Sequence, residues 1–371
     1  MIVRGHRVYR GHRSGSSHLS AVLLTVLSLV VLGLLAAFSL LPEYLVYHRD
    51  SVEMVVPLLE ESGQPYTVES ATPPQPYSGN ANSSVQITEP VYTDVDMVNL
   101  RGMGYIRCYY VSAGKMTESG LDTAVKDAER NDLSGLVIQM KDERGALNWV
   151  SEVALASSNA ANSAWDPSAA IAELKADGWY LVADISCGVD TLLADKNPQT
   201  ALRDASGAVY EDGNGKWVDP WNRTVRTYIV ELCQDLLRMG FDEIILSHVE
   251  HPNAAVGYTR GVASDLSRTT CVMNFAMAVR QGLDAALTAN GAHLNVRMSR
   301  SALFENDNGQ SLENFLKVFD RIVISTAYYS DDVKYFIDSG VDSTLRFVPQ
   351  MTWAFGGASV ILDPAAPVAE K

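Results

Sequence analysis

Cysteine is scarce in this chain, and so is positive charge. Cys108, Cys187, Cys233 and Cys271 are the only four in 371 residues, and they form neither a CxxC pair nor a zinc-ligand spacing. A disulfide scaffold and a structural zinc module are therefore poor descriptions of the chain. An exported domain could oxidise its cysteines. However, Cys108 and Cys187 fall in expected strands and Cys233 in an expected helix, which points to buried free thiols. Lys and Arg number 29 against 44 Asp and Glu, for a net charge of −15. Arg4, Arg7, Arg10 and Arg13 account for +4 of the total, so residues 19–371 carry −19. Nucleic acid is a poor partner for such a surface, because its affinity rests on Lys and Arg against phosphate. No GxGxxG turn follows the first expected strand, which argues against a dinucleotide cofactor, and no other cofactor is expected.

One stretch has no charge at all. Leu19 to Leu41, "LSAVLLTVLSLVVLGLLAAFSLL", is 23 residues long, enough at about 1.5 Å per residue to cross the roughly 30 Å apolar core of a bilayer. The arginines ahead of it, with no acid among them, keep the N-terminus cytoplasmic and direct the rest outward. A cleavable signal peptide is the competing reading, but its apolar region normally runs only about 7–15 residues. The expectation is a single-pass cell-membrane protein: a basic cytoplasmic tail over 1–18, a signal anchor over 19–41 and an extracytoplasmic stalk over 42–97. The stalk includes "ATPPQPYSGNANSS", which has the composition of a linker.

From residue 98 to 361, short β-rich runs alternate with helical ones, and residues 362–371 form a C-terminal tail. The β-rich runs are 105–112, 135–141, 180–186, 243–249, 293–299, 321–327 and 346–352. Between them lie "LDTAVKDAERND", "PSAAIAELKADG", "RTVRTYIVELCQDLLRMG" and "TTCVMNFAMAVRQGLDAALTANG", with apolar residues at helical spacing. Alternating βα units predict a parallel sheet, and seven or eight in series predict an α/β fold of the (β/α)8 TIM-barrel type. The eighth unit is short. "GGASVIL" is its one strand candidate and leaves no room for a normal seventh helix, so an irregular or incomplete closure is expected.

A barrel of this type works at the carboxyl ends of its strands. Those ends carry Lys141, Asp142 and Glu143 after the second strand and Asp190 with "WVDPWN" after the third. Ser247, His248, Glu250 and His251 follow at the fourth strand, and Tyr328, Tyr329, Asp331 and Asp332 after the sixth. Carboxylates with aromatics around one mouth suit a sugar, which needs paired acids for chemistry and flat rings for stacking. Solvated rim loops are rich in Asp, Glu and Tyr in any case, so composition alone does not make a rim acid catalytic. A metal is not expected. In an extended strand His248 and Glu250 share a face while His251 points away, and the spacing is not the helical HExxH.

Taken together, several motifs resemble a bacterial family of (β/α)8-barrel domains named for glycoside hydrolysis and formerly described only as a domain of unknown function. They are "YYVSAG", "VIQMKDERGALNW", "YLVADISCGVDTLLADKNP", "GKWVDPWN" and "GFDEIILSHVEHP", across about residues 102–330. Lys141, Asp142 and Gly145 match the family's Lys-Asp-x-x-Gly pattern. Asp190 and Pro198 match the third unit, Trp217, Asp219 and Pro220 the Trp-x-Asp-Pro turn, and Phe241 to Ile244 with Pro252 the fourth unit. The resemblance implies an Asp at the positions of Gln139 and Ser247, and an Arg at those of Asp184 and Glu250. This chain is thus a divergent member at those four places.

The resulting expectation is a membrane-anchored barrel acting on a cell-surface or extracellular polysaccharide such as a cell-wall glycan. Asp142 and Glu250 are its acid/base pair and His248 tunes one of them. Lys141, Asp190, Trp217 and Tyr328 bind substrate with His248, Trp217 and Tyr328 acting as stacking faces. The alternative is a barrel that has lost hydrolysis and binds glycan or a protein partner, because Ser247 cannot supply the negative charge an oxocarbenium-like transition state needs.

Overall fold

A computed structural model describes residues 45–48, 51–54, 97–98, 100, 102–252, 258–259, 267–305 and 307–368. The basic tail, the apolar run 19–41 and most of the stalk lie outside these residues. The chain divides into residues 1–84 and 85–371. Within the first unit, Leu45–His48 pairs antiparallel with Ser51–Met54, a hairpin in a stretch whose sequence holds no sustained period. Among the described residues no helix is long and apolar enough to cross a membrane.

In the second unit eight strands close into a parallel barrel in chain order. They are β1 (Arg107–Val111), β2 (Gly135–Lys141), β3 (Tyr180–Ser186), β4 (Glu243–Ser247), β5 (His293–Arg297), β6 (Ile322–Ser325), β7 (Phe347–Met351) and β8 (Val360–Leu362). The expected helices are present as α1 (Glu118–Arg130), α2 (Ser168–Ala176), α3 (Arg223–Met239) and α4 (Arg268–Asn290), followed by the short α5 (Leu312–Phe315) and then α6 (Tyr329–Asp338). Their ends follow local chemistry. The Asn222 side chain accepts from the Thr224 N–H to open α3, and Gly240, at φ 104°, closes it in a left-handed turn that a side chain would strain.

The irregular closure expected for the eighth unit is only half right. β8 pairs with both β7 and β1, so the barrel closes fully. What is missing is the helix, since residues 352–359 connect β7 to β8 without one. At about 3.3–3.6 Å per extended residue, that connector can span the length of a short strand without winding into a helix.

The two-residue period of the strands sorts their side chains into two cores. Leu136, Ile138, Leu181, Ala183, Ile244 and Leu246 face outward into the cluster shared with the helices. Cys108, Val137, Val182, Ile245, Val323, Val348 and Ile361 face inward and fill the barrel axis. Each fully buried Val or Ile contributes about 1.5–3 kcal/mol, so this plug makes the barrel a packed core rather than a pore. Beneath it lies a charged layer in which Arg321 is paired with Glu243, both almost wholly buried. Two residues further along the inward faces, the side chains turn polar, and there the mouth begins. All four cysteines are buried and free.

Candidate functional site

The polar layer at the mouth comprises Tyr110, Gln139, Asp184, Ser247, Arg297, Gln350 and Asp363. In each of six strands the polar residue stands two positions beyond an inward-facing apolar one: 108, 137, 182, 245, 348 and 361. Asp184 is at its centre and only 2% exposed. Its Oδ2 accepts from Arg297 Nη2 at 2.6 Å and from the Tyr110 hydroxyl at 3.4 Å, while its Oδ1 accepts from the Ser247 hydroxyl. The Arg297 guanidinium also donates from Nε to Ser247 Oγ at 3.0 Å and from Nη1 to Gln350 Oε1. Gln350 in turn donates to Asp363 Oδ2 at 2.7 Å. Five strands are thereby tied across the mouth by one arginine and one carboxylate. Burial and the neighbouring carboxylate charge hold the Tyr110 phenol far above its ordinary pKa, so it stays a donor.

Glu143 stands just above this layer, half-buried, where Gln139 Nε2 donates to its Oε1 at 3.1 Å. Burial pushes its carboxyl above the ordinary value, and the charges of Asp184 and Asp142 push the same way. Two carboxyl groups thus share one mouth in unlike surroundings. Asp184 is clamped by a guanidinium, whereas Glu143 is biased towards its protonated form.

The residues singled out from the sequence divide between framework and rim. Lys141 is fully buried, donating to the Ser186 carbonyl at 2.6 Å and pairing with Asp190 Oδ2 at 3.0 Å. Asp190 Oδ1 also caps the helix Thr191–Lys196 through the Leu193 N–H at 2.8 Å. Gly145, at φ 90°, packs so closely on Asp190 that a Cβ there would lie 2.0 Å from Oδ1. Lys141, Gly145 and Asp190 therefore form a clasp that fastens the loop after β2 to the loop after β3, and their motif has an architectural cause. Asp142 is committed to the turn it opens, accepting from the Ala146 N–H at 2.8 Å and from Arg144 Nε at 3.1 Å. Trp217 is 2% exposed, packed with Val189, Leu202 and Tyr210, and meets the His248 ring edge-on at 6.2 Å. It is placed as a wall of the third loop, with its faces covered.

His248 takes a left-handed backbone, φ 55°, rare for a residue with a side chain. Its carbonyl lies where a Cβ on Gly188 would come within 2.3 Å of it. Its Nδ1 lies 3.2 Å from Ser186 Oγ, which itself donates to the Val189 carbonyl at 2.8 Å. Burial lowers the imidazole to about 4, with Arg297 and Lys141 adding to the effect, so it is neutral at physiological pH. His251 is buried beside Asn308 and donates its backbone N–H to the Asn308 carbonyl at 2.8 Å. Among the described residues no group of three His, Cys, Asp or Glu is arranged to hold a metal ion.

Glu250 accepts from Asn308 Nδ2 at 2.6 Å, and burial raises its carboxyl to about 7. The contacts of Asp142 and Glu250 do not meet, since one lies within its own turn and the other with Asn308. The raised value of Glu250 has a consequence for stability. Between its ordinary value of 4.5 and about 7 the folded state holds a proton the unfolded chain has lost, so its stabilising share declines as pH rises through that window. Glu250→Gln is expected to flatten the Tm–pH curve there and to be the more stable protein at pH 8. Parallel melting curves for the two proteins would contradict this assignment.

Residues 108–334, well over half of the chain, match the family described as "Putative glycosyl hydrolase domain". The chain belongs to this family. The fold is also shared with alpha-L-fucosidase isoenzyme 2 from Paenibacillus thiaminolyticus, at a TM-score of 0.50 and 12% identity, over 70% of this chain and 46% of that one. This chain thus spans under half of the fucosidase. The PgaB (BpsB) glycoside hydrolase domain from Bordetella bronchiseptica is similar at a TM-score of 0.49 and 11% identity, over 67% of this chain and 84% of that one. No curated protein matches.

Within this glycosyl hydrolase domain, three of the four positions that depart from the expected pattern are neighbours. Gln139 and Asp184 are register partners across β2 and β3, and Asp184 bonds to Ser247 on β4. Three of the positions at which the resemblance implies another residue thus lie side by side in the mouth, while the fourth, Glu250, stands on Asn308. Sequence reading named those positions but not the partners that unite them, Tyr110, Arg297 and Gln350. The available signal was an arginine at an inward position of β5, in a strand otherwise built for burial.

Proposed function

We propose that this glycosyl hydrolase domain cleaves an extracellular or cell-surface polysaccharide, with Glu143 as general acid and Asp184 as the carboxylate that meets the positive charge of the transition state. The observation that carries the reading is the pair itself: one carboxylate held by Arg297, beside a second carboxyl that burial and the first one's charge bias towards protonation. Protonated Glu143 would pass its proton to the glycosidic oxygen as the C–O bond breaks, with Asp184 facing the developing oxocarbenium; water would then add to the anomeric carbon and its proton return to ionised Glu143. Ser247 cannot be that partner, but its hydroxyl touches the group that can. The resemblance leads one to expect two aspartates and an arginine at 139, 247 and 184. Gln, Ser and Asp carry the same net charge at those three positions, with one carboxylate in a new place, while Glu250 in place of the fourth, an expected arginine, takes a positive charge off the rim. Asp142 and Glu250 then serve the turn and the rim.

A second reading is favoured by how thoroughly Asp184 is held. Three donors and 2% exposure suit a structural anchor, in which case the barrel would bind glycan without cutting it. A screen of polysaccharides and aryl glycosides with the wild-type chain, Glu143→Gln and Asp184→Asn separates the two. Turnover abolished by both substitutions supports hydrolysis by this pair; no turnover on any substrate supports the binding reading.

The same proposal places the barrel outside the cell, tethered by residues 19–41. The support is the uncharged 23-residue run behind four arginines. Full-length chain is expected in the membrane fraction, and a chain lacking residues 1–41 in the soluble one. Recovery of both in the soluble fraction would remove the anchor.

A further inference from the structure

The carboxyl ends of β6 and β7 carry aromatic rings that the mechanism does not use. Tyr328 is 48% exposed and Trp353 49%, a costly placement for two large rings unless something covers them. They line a cavity of about 240 Å3 together with Tyr329, Ser330, Asp331 and Met351. That volume is below the roughly 300–1,000 Å3 of a pocket that encloses a whole small ligand. It is a shallow seat for one ring of something longer.

The surface continues on one side. The Arg300 guanidinium lies over both rings, 4.5 Å from the centroid of Tyr328 and 5.4 Å from that of Phe304. Phe304 is itself exposed. Arg300 is neutralised by Asp332, whose Oδ1 accepts from Nε at 2.8 Å, so the row presents flat faces without a free positive charge. Trp353 is backed by Phe355 at 5.3 Å and Tyr329 at 6.1 Å, which fixes its orientation. Asp331 offers an acceptor at the cavity edge, where vicinal hydroxyls could donate, and its charge disfavours an anionic occupant.

We infer that Trp353 and Tyr328, extended by Arg300 and Phe304, form a binding surface for successive rings of a neutral polysaccharide on the rim after β6 and β7. Pyranose rings present C–H faces to aromatic planes and hydroxyls to edge carboxylates, and this surface offers both. The chain's net charge of −15 points the same way, against an acidic polymer. The inference rests on the glycan reading above but not on hydrolysis.

The test is retention of the full chain, carrying Glu143→Gln so that polymer stays intact, in gels cast with amylose, mixed-linkage β-glucan, xylan or soluble chitin derivatives, and with polygalacturonate as the anionic control. Retention is expected on at least one neutral polymer. Trp353→Ala and Tyr328→Ala should each weaken it by about tenfold, the scale of losing one aromatic anchor, while Trp353→Phe, which keeps a ring and the local packing, should retain most of it. Equal retention by all variants, retention only on polygalacturonate, or none on any polymer would overturn the inference. Failure of the hydrolysis reading is recorded separately, as absence of turnover by the wild-type chain, and leaves a Trp353-dependent retention standing.

Discussion

Arg321→Met is expected to destabilise the barrel by about 3–5 kcal/mol, the cost of leaving one half of a buried ion pair without the other. Arg321 uses all of its donor groups: Nε and Nη2 reach Glu243 at 3.0–3.1 Å, Nη1 the Leu345 carbonyl at 2.6 Å, and Nη2 the Gly104 carbonyl at 2.7 Å. Glu243 is 0% exposed and would keep only the Tyr180 hydroxyl at 2.7 Å and the Asn295 amide at 2.6 Å. Those neutral donors cannot offset a full charge in a dry layer. For a domain of this size, roughly 2–4 °C of Tm accompanies each kcal/mol, so Tm should fall on the order of 10 °C. Adding Glu243→Leu removes the stranded charge, and the double variant should recover part of the loss. A single variant within about 1 kcal/mol of wild type in denaturant melts would show that the layer is not a stabilising pair but a replaceable one.

That pair also illustrates what could be read from the sequence. The run 321–327 is legible as a strand because Ile322, Val323 and Ile324 sit between polar neighbours, and the βα alternation by itself points to a barrel. Periodicity identifies a face, however, and not what meets it across an axis. Arg321 and Glu243 are 78 residues apart, Arg297 and Asp184 113. Nothing local announces either pairing. The reverse holds for Lys141, Asp142 and Asp190. Their motif was plain in the sequence, but whether a conspicuous acid performs chemistry or fastens a loop depends on burial and partners. Trp217 is similar: a tryptophan in a rim segment looks like a platform until Val189, Leu202 and Tyr210 are seen against it. The short eighth unit was legible as short. That eight residues suffice to return the chain follows from the small length of β8, which composition does not disclose.

The largest effect on activity is expected at the carboxylate pair. If the proposed chemistry holds, Glu143→Gln should lower kcat/KM by about 10²–10⁴, the usual contribution of a positioned acid. Asp184→Asn should cost at least as much, because a neutral amide cannot face an oxocarbenium-like charge in a site with little water to substitute for it. The substitutions should differ on leaving group. A substrate whose leaving alcohol is already acidic, such as a nitrophenyl glycoside, needs little protonation and should rescue much of the Glu143→Gln loss but none of the Asp184→Asn loss. The pH profile supplies an independent check. Burial raises Glu143, so the acid form persists to higher pH than an ordinary carboxyl would, and wild-type activity should fall as pH rises through that displaced value. Arg297→Lys tests the clamp. One ammonium cannot reach Asp184, Ser247 and Gln350 together as the guanidinium does, so Asp184 should lose its fixed orientation. The expected result is a fall in kcat larger than any rise in KM. A uniform loss across leaving groups in Glu143→Gln would remove Glu143 as the acid. The carboxyl of Glu250, which burial raises to about 7, would then be the next candidate.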